Sequence, residues 1–440
     1  MKKILFIIPY VPYPLDSGGN QAFFNMIDHI RHFMNTAILL DTSHPDSCQR
    51  VKALQKIWPD VDFYLFKKSP QSEGLAIPEG YGIRQRWVYR QLVKVRASIN
   101  RKIKRRLYPL DGLQRENTLT SSFYKALDTD YVEYVSQVAR QGFDFIQVEF
   151  YELLSLIYVL PEDVVTLFVH HELRWIRNEN EMAAFGKTSI NDYVALQVTK
   201  DYELSALSRY KCIVTLTETD RDLLVNLMGN EKQHPVIYAS PAVIQMHGGE
   251  VKPFVAAVTH RLTFVGSGAH YPNFDGLDWF CKDVVPFLCK SHFEFKLQVV
   301  GKWEPNVADL IKHRYPYVEM VGYVEDLPEF LRGSISVIPI RMGSGMRMKI
   351  LDSVWANVPF VTTMKGVEGI DLHNGIDCLI ADDAKSFAKC VITVSNDTSL
   401  QKQLVQNAFE HLLQLYEPSE MLKKRMNVYK RLLPDDYGGE

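Results

Sequence analysis

Short apolar runs alternate with longer amphipathic segments along most of this 440-residue chain, and this alternation restricts the possible folds more than any other feature. The first run, KILFII at residues 3–8, is continuously apolar and ends at Pro9. Such a run is typical of a parallel strand buried on both faces, whereas the segments between such runs have helical periodicity. Repeated strand–helix units predict a doubly wound parallel sheet. Further strands are predicted at residues 36–40, 143–148, 164–169 and 211–216. Thr217 and Asp220 form a Thr-x-x-Asp capping signature, which predicts the start of a helix.

The alternation is interrupted once, between residues 239 and 258, where prolines and paired glycines replace the periodic pattern. It resumes with predicted strands at 261–266, 295–300, 317–321, 334–340 and 360–363. Two halves of about 200 residues each suit two domains with separate cores. We therefore predict two Rossmann-like α/β domains and a final helix that reaches back to the first of them. The predicted bounds are 1–245 for the first domain, 246–258 for a linker, 259–417 for the second domain and 418–440 for the helix and tail.

Composition and charge argue against several classes of protein. The formal net charge is −2, which argues against a nucleic-acid partner. No apolar stretch reaches the ~18 residues of a membrane span, and the short apolar run near the N-terminus lacks the cleavage site of a signal peptide. The six cysteines form no Cys-x-x-Cys pair, as expected for reduced thiols. These features predict a cytoplasmic protein.

One segment departs from this ordinary composition. Residues 84–106 contain ten Lys or Arg and no Asp or Glu, with apolar residues at helical spacing among them. One interpretation is a solvated basic helix. The other is a helix that lies on an anionic membrane, which would place the protein at the inner face of the membrane. The sequence leaves both open.

Two loops carry candidate site residues in the first half. Gly18 and Gly19 follow the first predicted strand, where backbone N–H groups approach an anion at a helix N-terminus; the alternative is a tight turn without a ligand. His170, His171 and Glu172 follow a later strand, at the edge where doubly wound sheets bind ligands. Here the alternative is structural histidines bonded to carboxylates. No further ligand set supports a metal site at this motif.

The strongest candidate site is PIRMGSGMRMKILDSVWANVPFVTT at residues 339–363. A strand is followed by a Gly-Ser-Gly loop and then by a helix that carries charged residues. The glycines open backbone amides toward a ligand, Arg347 and Lys349 are placed to neutralise a diphosphate, and Asp352 to bind the hydroxyls of a ribose. The alternative is a βαβ unit with solvated charges.

Residues 339–363 resemble the GT-B glycosyltransferases, especially the large family 4 of retaining enzymes. The family fold has two Rossmann-like domains facing a cleft. Its hallmark is a pair of glutamates separated by seven residues; Asp352 stands at the second position, and Ser344 replaces the first. GVEGI at 366–370 resembles the loop that follows in the family, and Ser267 stands where an arginine is usual.

The resemblance implies roles for named residues. His170 or His171 would contact the donor sugar, and these two with Glu172 form the predicted catalytic group. The predicted donor-binding residues are Gly18, Gly19, Ser267, Tyr323, Ser344, Gly345, Met346, Arg347, Lys349 and Asp352. Asp128-Thr-Asp130 matches the Asp-x-Asp of metal-dependent transferases, but its position favours a helix cap.

The function implied is metal-independent, retaining transfer of a hexosyl group, without a cofactor. The co-substrate would be a nucleotide-diphosphate sugar. The acceptor would be a glycan or a lipid-linked molecule in surface polysaccharide or glycoconjugate synthesis. Two alternatives remain: a nucleotide-sugar epimerase on the same fold, and a catalytically silent GT-B protein that binds a nucleotide or a partner.

Overall fold

The computed structural model describes residues 1–15, 18–68, 119, 124–185, 188–229, 235–243, 253–257, 260–268 and 270–433. The basic segment 84–106 and most of the predicted linker lie outside these ranges. Elements are numbered along the described residues.

The first sheet has seven parallel strands in the order β3-β2-β1-β4-β5-β6-β7. The sequence did not predict β3 and β7, because their apolar runs, FYLF and VIYA, are only four residues long and most of their side chains are only partly buried. The strands are β1 Lys3–Ile8, β2 Asn35–Asp41, β3 Asp62–Phe66, β4 Phe145–Glu149, β5 Val165–His170, β6 Cys212–Thr215 and β7 Val236–Ala239. The helices are α1 Gly18–Ile30, α2 Ser47–Ile57, α3 Thr129–Ala139, α4 Arg174–Phe185, α5 Ile190–Leu207 and α6 Glu218–Met228, with a 3₁₀ segment at Tyr151–Tyr158.

The second sheet has six parallel strands in the order β10-β9-β8-β11-β12-β13. Its strands are β8 Arg261–Val265, β9 Lys296–Val300, β10 Val318–Gly322, β11 Ile335–Ile338, β12 Phe360–Thr362 and β13 Leu379–Ile380. The helices are α7 Tyr271–Trp279, α8 Val285–Lys290, α9 Pro305–Arg314, α10 Leu327–Leu331, α11 Met348–Trp355, α12 Met364–Val367, α13 Ala384–Asn396 and α14 Thr398–Tyr416, with a π segment at Phe280–Val284. The prediction of two doubly wound α/β units is confirmed.

The two sheets are held together by a shared apolar core and by the last helix. One buried cluster includes Phe6 of the first sheet and Ile350 of α11. The last helix, α15 (Pro418–Leu432), packs on the first sheet. Its Tyr429 hydroxyl donates to Oε1 of Gln147 at 2.6 Å, and Nε of Arg425 donates to Oγ of Ser240 at 3.1 Å.

Local signals in the sequence correctly placed two helix starts. The Asp128 side chain accepts the N–H groups of Asp130 and Tyr131, so the Asp-x-Asp match is a helix cap, as predicted. Thr217 caps α6 by accepting the N–H of Asp220. No helix in the described part of the chain has the length and apolar character needed to cross a bilayer.

Candidate functional site

The two predicted loop motifs meet across the cleft between the sheets. The loop after β5 donates the Leu173 N–H to Oγ of Ser344 at 2.8 Å. In the opposite direction, the Gly345 N–H donates to Oδ2 of Asp220 at 3.2 Å. Ser344 and Asp220 are both buried, so these contacts join the domains through polar groups shielded from water. The segment after β11 therefore lies against the carboxyl ends of β5 and β6.

Gly345 is required at this meeting point for two reasons. Its φ of +77° lies in the left-handed region, which side chains other than glycine rarely adopt. A Cβ at this position would also lie only 2.0 Å from the carbonyl oxygen of His171. The approach of the two domains therefore depends on the absence of a side chain at residue 345.

Arg347 stabilises the loop that precedes α11. Its guanidinium donates to the carbonyl oxygens of Ser344 at 2.7 Å and Gly343 at 2.9 Å, and it lies 3.8 Å from Glu368. Burial lowers its pKa, and the nearby carboxylates, Glu368 first, oppose that shift. Because the guanidinium faces main-chain oxygens, the geometry favours a structural role for Arg347, and its contact with a diphosphate stays a prediction.

Lys349 and Asp352 are on the first turns of α11. Nζ of Lys349 donates to Oδ1 of Asn273 at 2.6 Å, and Nδ2 of Asn273 donates to the carbonyl oxygen of Ser267 at 3.0 Å. Burial, reinforced by Arg347, lowers the pKa of Lys349 to about 7. Burial also raises the pKa of Asp352 to about 7, against the opposing effect of Lys349. A cation and a carboxyl group with perturbed pKa values thus lie together at the cleft, as is common in binding sites.

The two adjacent histidines differ in their surroundings. Nε2 of His170 lies 2.6 Å from Oε1 of Glu203, and both side chains are fully buried. Glu203 also accepts the N–H groups of Arg174 and Trp175, at 3.0 and 3.1 Å. This arrangement matches the structural alternative stated for His170, because the glutamate fixes its ring to the start of α4.

His171 is the more accessible histidine, with 16% of its side chain exposed against 1% for His170. Its Nε2 lies 2.8 Å from Oε2 of Glu149, and its ring stacks on Phe150 with 4.0 Å between centroids. It lines a small cavity that also contains Glu149 and Arg425. Of the two histidines, His171 has the better position to contact a ligand.

Glu172 carries a charge at the meeting point of the domains. It pairs with Arg177 at 2.8 Å. Burial would raise its pKa, but Arg177, Arg174 and His270 outweigh that effect and lower it to about 2. The carboxylate is therefore ionised at neutral pH. An ideal Cβ on Gly345 would lie 3.5 Å from Cβ of Glu172, which places this side chain beside the 344–345 loop.

His270 was not among the site residues predicted from the sequence. Burial lowers its pKa to about 4, with Glu172 acting in the opposite direction and Arg177, Lys349 and Arg347 adding to the shift. It therefore lies close to charged side chains of both domains.

Asn273, Asp220 and Arg177 were likewise not predicted as site residues from the sequence. The position of His270 and Asn273 just after β8, at the ligand-binding edge of the sheet, was the available signal.

The remaining predicted residues lie around this cleft at varying distances. Gly19 is in α1, where a Cβ would lie 2.6 Å from the Tyr10 hydroxyl and 3.8 Å from Phe150, the residue that stacks on His171. Gly18 is the first residue of the same helix, and Met346 packs partly buried against the shared core. Tyr323 follows β10 and is half exposed, with Nζ of Lys302 5.4 Å from its ring.

Solved structures with the same architecture cover nearly the whole chain. S. aureus TarM, in a complex that includes UDP, has a TM-score of 0.65 at 11% identity, covering 98% of this chain and 100% of TarM. Anabaena Alr3699/HepE with UDP-glucose has a TM-score of 0.62 at 11% identity, with coverage of 98% and 100%. Sucrose-phosphate synthase from Thermosynechococcus elongatus has a TM-score of 0.66 at 13% identity, with coverage of 99% and 100%. The fold is the GT-B fold, as predicted.

Sequence comparison relates the second domain to a known family. Residues 259–397 match the family described as glycosyl transferases group 1. An uncharacterised 44.6 kDa protein in the cps region of Klebsiella pneumoniae is 24% identical over 256 residues, which are 56% of this chain and 66% of that protein. The resemblance to GT-B glycosyltransferases is confirmed, whereas membership of family 4 stays a prediction.

Proposed function

We propose that this chain is a retaining glycosyltransferase that moves a hexosyl group from a nucleoside-diphosphate sugar to a glycan or lipid-linked acceptor. The observation that carries this proposal is the position of Lys349 and Asp352, about one turn apart on α11, at the edge where the second domain meets the loop after β5. The match of residues 259–397 to group 1 glycosyl transferases supports it.

Lys349 would bind the diphosphate of the donor. It lies in the first turn of α11, where the helix N-terminus also favours an anion. Negative charge develops on the diphosphate as the bond to the sugar breaks, and a cation already held in place stabilises that charge. Asp352, one turn further along α11, would accept hydrogen bonds from the ribose hydroxyls. This division of roles requires no metal ion and no cofactor.

Glu172 would supply the carboxylate that Ser344 cannot. Ser344 stands at the first glutamate position of the resembled family, and its hydroxyl is bonded to the Leu173 N–H. Glu172 approaches the same loop from the first domain and is ionised, because its pKa is lowered to about 2. We therefore propose that Glu172 and His171 orient the donor sugar from the first domain. The acceptor hydroxyl would attack the face from which the diphosphate leaves.

The acceptor would bind on the side of the first domain. The basic segment 84–106 belongs to this part of the chain, and an anionic membrane surface there would present a lipid-linked acceptor. The similarity to a protein of a cps region supports a role in surface polysaccharide synthesis at the inner face of the membrane.

The experiment is a panel of UDP-, GDP- and dTDP-sugars, incubated with the full chain with and without a bacterial lipid extract. We expect one donor to release nucleoside diphosphate faster with the extract, and NMR of the product to show the donor's anomeric configuration. Conversion of the sugar without release of nucleotide would indicate an epimerase. Binding without any turnover would indicate a silent protein.

Glu172→Gln tests the proposed carboxylate. We expect kcat to fall with little change in donor binding, since the carboxylate would act on the sugar and not on the nucleotide. Glu152→Gln is the matched control, because Glu152 also forms an ion pair with an arginine, Arg174, but is 55% exposed. Equal activity of the two variants would count against a role for Glu172.

A further inference from the structure

Outside the cleft, a group of side chains that can bind a metal ion lies where the loop before β13 meets α14. Nδ1 of His373 lies 3.4 Å from Oδ2 of Asp377, and Nδ1 of His411 lies 3.6 Å from the same oxygen. Ligands that share one tetrahedral metal ion, with bonds of about 2.0–2.1 Å, are about 3.3–3.4 Å apart. The two histidine–aspartate distances are therefore close to those of a metal site, and the three ligand atoms all lie within 4.8 Å of one another.

The three side chains are held in place by other contacts. Asp377 is buried, and its Oδ2 accepts the N–H of His373 at 2.7 Å. The two imidazole rings are nearly parallel, with an interplanar angle of 10°. The Asn407 amide donates to the carbonyl oxygen of Ile376 at 2.9 Å and so attaches the loop to α14. These contacts fix the three side chains at the junction of the loop and α14.

A fourth residue lies behind the two histidines. Nε2 of His411 is 3.4 Å from Oδ2 of Asp371, and Nε2 of His373 is 3.7 Å from Oδ1 of the same carboxylate. A histidine that binds metal through one ring nitrogen usually donates its other N–H to a carboxylate, which fixes the tautomer and raises the basicity of the ligand. Asp371 stands in that position for both rings at once.

We propose that His373, His411 and Asp377 bind a divalent transition-metal ion of the Zn²⁺ class, oriented by Asp371. The two imidazole nitrogens and one carboxylate oxygen suit Zn²⁺, and water completes the coordination. His373 and Asp371 are 57% and 68% exposed, so solvent reaches the site. None of these residues belongs to the cleft described above.

The consequence of this ion is structural. It would join the loop of residues 371–378 to α14. Just before that loop, Gly369 faces the first domain, where a Cβ would lie 2.8 Å from Cγ2 of Thr217. The same helix is followed by α15, which packs on the first sheet. The ion would therefore stiffen the second domain next to two of its contacts with the first, without taking part in the proposed transfer.

The sequence did not reveal this site. His373 and Asp377 are four residues apart, but His411 comes from a helix far along the chain, and such a spacing matches no metal-binding motif. The fold brings the three residues together.

The test uses the full chain after treatment with a chelator. We expect calorimetry to show one equivalent of Zn²⁺ bound with micromolar affinity or better, and Co²⁺ to give the visible absorption of a tetrahedral site. His373→Ala and His411→Ala should each weaken binding at least tenfold, and Asp371→Asn by about ten- to a hundredfold. His313→Ala, which removes an exposed histidine of α9, is the matched control and should bind normally.

The change in Tm on addition of Zn²⁺ is a second measurement, which can be made even if a variant is less stable than wild type. Zn²⁺ should raise the Tm of wild type and of His313→Ala, because an ion that binds only the folded state stabilises it, but not that of His411→Ala. Absence of Zn²⁺ binding by wild type would overturn the proposal. So would equal binding by wild type and both histidine variants, which would place the ion elsewhere on the protein.

Discussion

Nζ of Lys349 donates a hydrogen bond of 2.6 Å to Oδ1 of Asn273, and so the start of α11 is joined to α7. Asn273 is itself packed against the backbone, since a Cβ on Gly266 would lie 2.6 Å from its Cγ. The amide therefore fixes the position of the lysine between the loops that follow β8 and β11, the two central strands of the second sheet. A ligand that enters there meets a cation whose position is already set, which reduces the entropy lost on binding.

Lys349→Ala should weaken binding of the donor nucleotide about tenfold to a hundredfold, as expected for loss of a charge-assisted contact of about 1.5–3 kcal/mol. Arg341→Ala is the comparison, because Arg341 precedes the glycine loop and pairs with Asp275 through two bonds, of 2.6 and 3.0 Å. Its loss should change nucleotide affinity little. Calorimetric titration with nucleoside diphosphate measures both, and equal small effects would argue against phosphate binding by Lys349.

Nucleotide binding should take up protons above neutral pH. Burial lowers the pKa of Lys349 to about 7, so much of it is uncharged at pH 8, and an adjacent diphosphate would raise that pKa again. Affinity should therefore fall as pH rises from about 7 to 9, and this fall should be absent in Lys349→Arg, whose guanidinium stays charged over that range. The heat of binding, measured at pH 8 in two buffers of different ionisation enthalpy, gives the number of protons taken up per nucleotide bound.

The pH measurement needs one further variant. Asp352 ionises over the same range, since burial raises its pKa to about 7. Asp352→Asn removes that contribution, and proton uptake should persist in this variant. Proton release in place of uptake would contradict the account of Lys349.

Most of the fold was predictable from the sequence because buried parallel strands are continuous apolar runs. KILFII at β1 shows this most clearly, since five of its six residues are fully buried. β3 and β7 are at the edges of the first sheet, and their apolar runs of four residues, FYLF and VIYA, are too short to be distinguished from part of a helix by periodicity. The two caps at Asp128 and Thr217 were found because they depend on local spacing alone.

The candidate site was predictable only in part. The sequence identified the two loops that meet. It could not show which of their side chains form hydrogen bonds within the protein and are therefore not available to a ligand. Arg347 bonds to loop carbonyl groups, and His170 is fixed by Glu203, a residue of α5. Asp220 was predicted as part of a cap, and its contact with Gly345 depends on how the domains meet. Such long-range partners leave no local signal.

Gly345→Ala should disrupt the closure of the cleft. The left-handed conformation costs about 1–2 kcal/mol for a residue with a side chain, and the clash with the His171 carbonyl adds to it. We expect a lower Tm and, by small-angle scattering, a larger radius of gyration. Gly142→Ala is the control, since its φ of +78° brings the same strain but its Cβ would meet nothing within 4 Å. Equal effects of the two changes would show that closure does not depend on Gly345.

The basic segment 84–106 should bind anionic membranes. Each basic residue near such a surface contributes about 1 kcal/mol, and salt screens the attraction within about 8–10 Å. Wild type should therefore sediment with anionic liposomes at low salt and be released as salt rises. A variant with five changes to Ser should sediment much less; the positions are Arg101, Lys102, Lys104, Arg105 and Arg106.

The control for the liposome experiment removes the same amount of charge elsewhere. Five exposed lysines outside the segment are changed to Ser, at positions 52, 56, 312, 402 and 424. This variant should sediment like wild type. If wild type does not bind anionic liposomes at low salt, the membrane interpretation is wrong, and a solvated helix remains.

The most direct test of the donor site is calorimetric binding of UDP, GDP and dTDP to wild type and Asp352→Ala. The account predicts that wild type binds one of these nucleotides. It predicts that Asp352→Ala binds the same nucleotide at least about tenfold more weakly, because the carboxylate would no longer accept the ribose hydroxyls. Asp309→Ala, an exposed change in α9, should bind like wild type, and all three proteins should unfold at similar temperatures. Unchanged affinity in Asp352→Ala, or failure of wild type to bind any of the three nucleotides, would contradict the account.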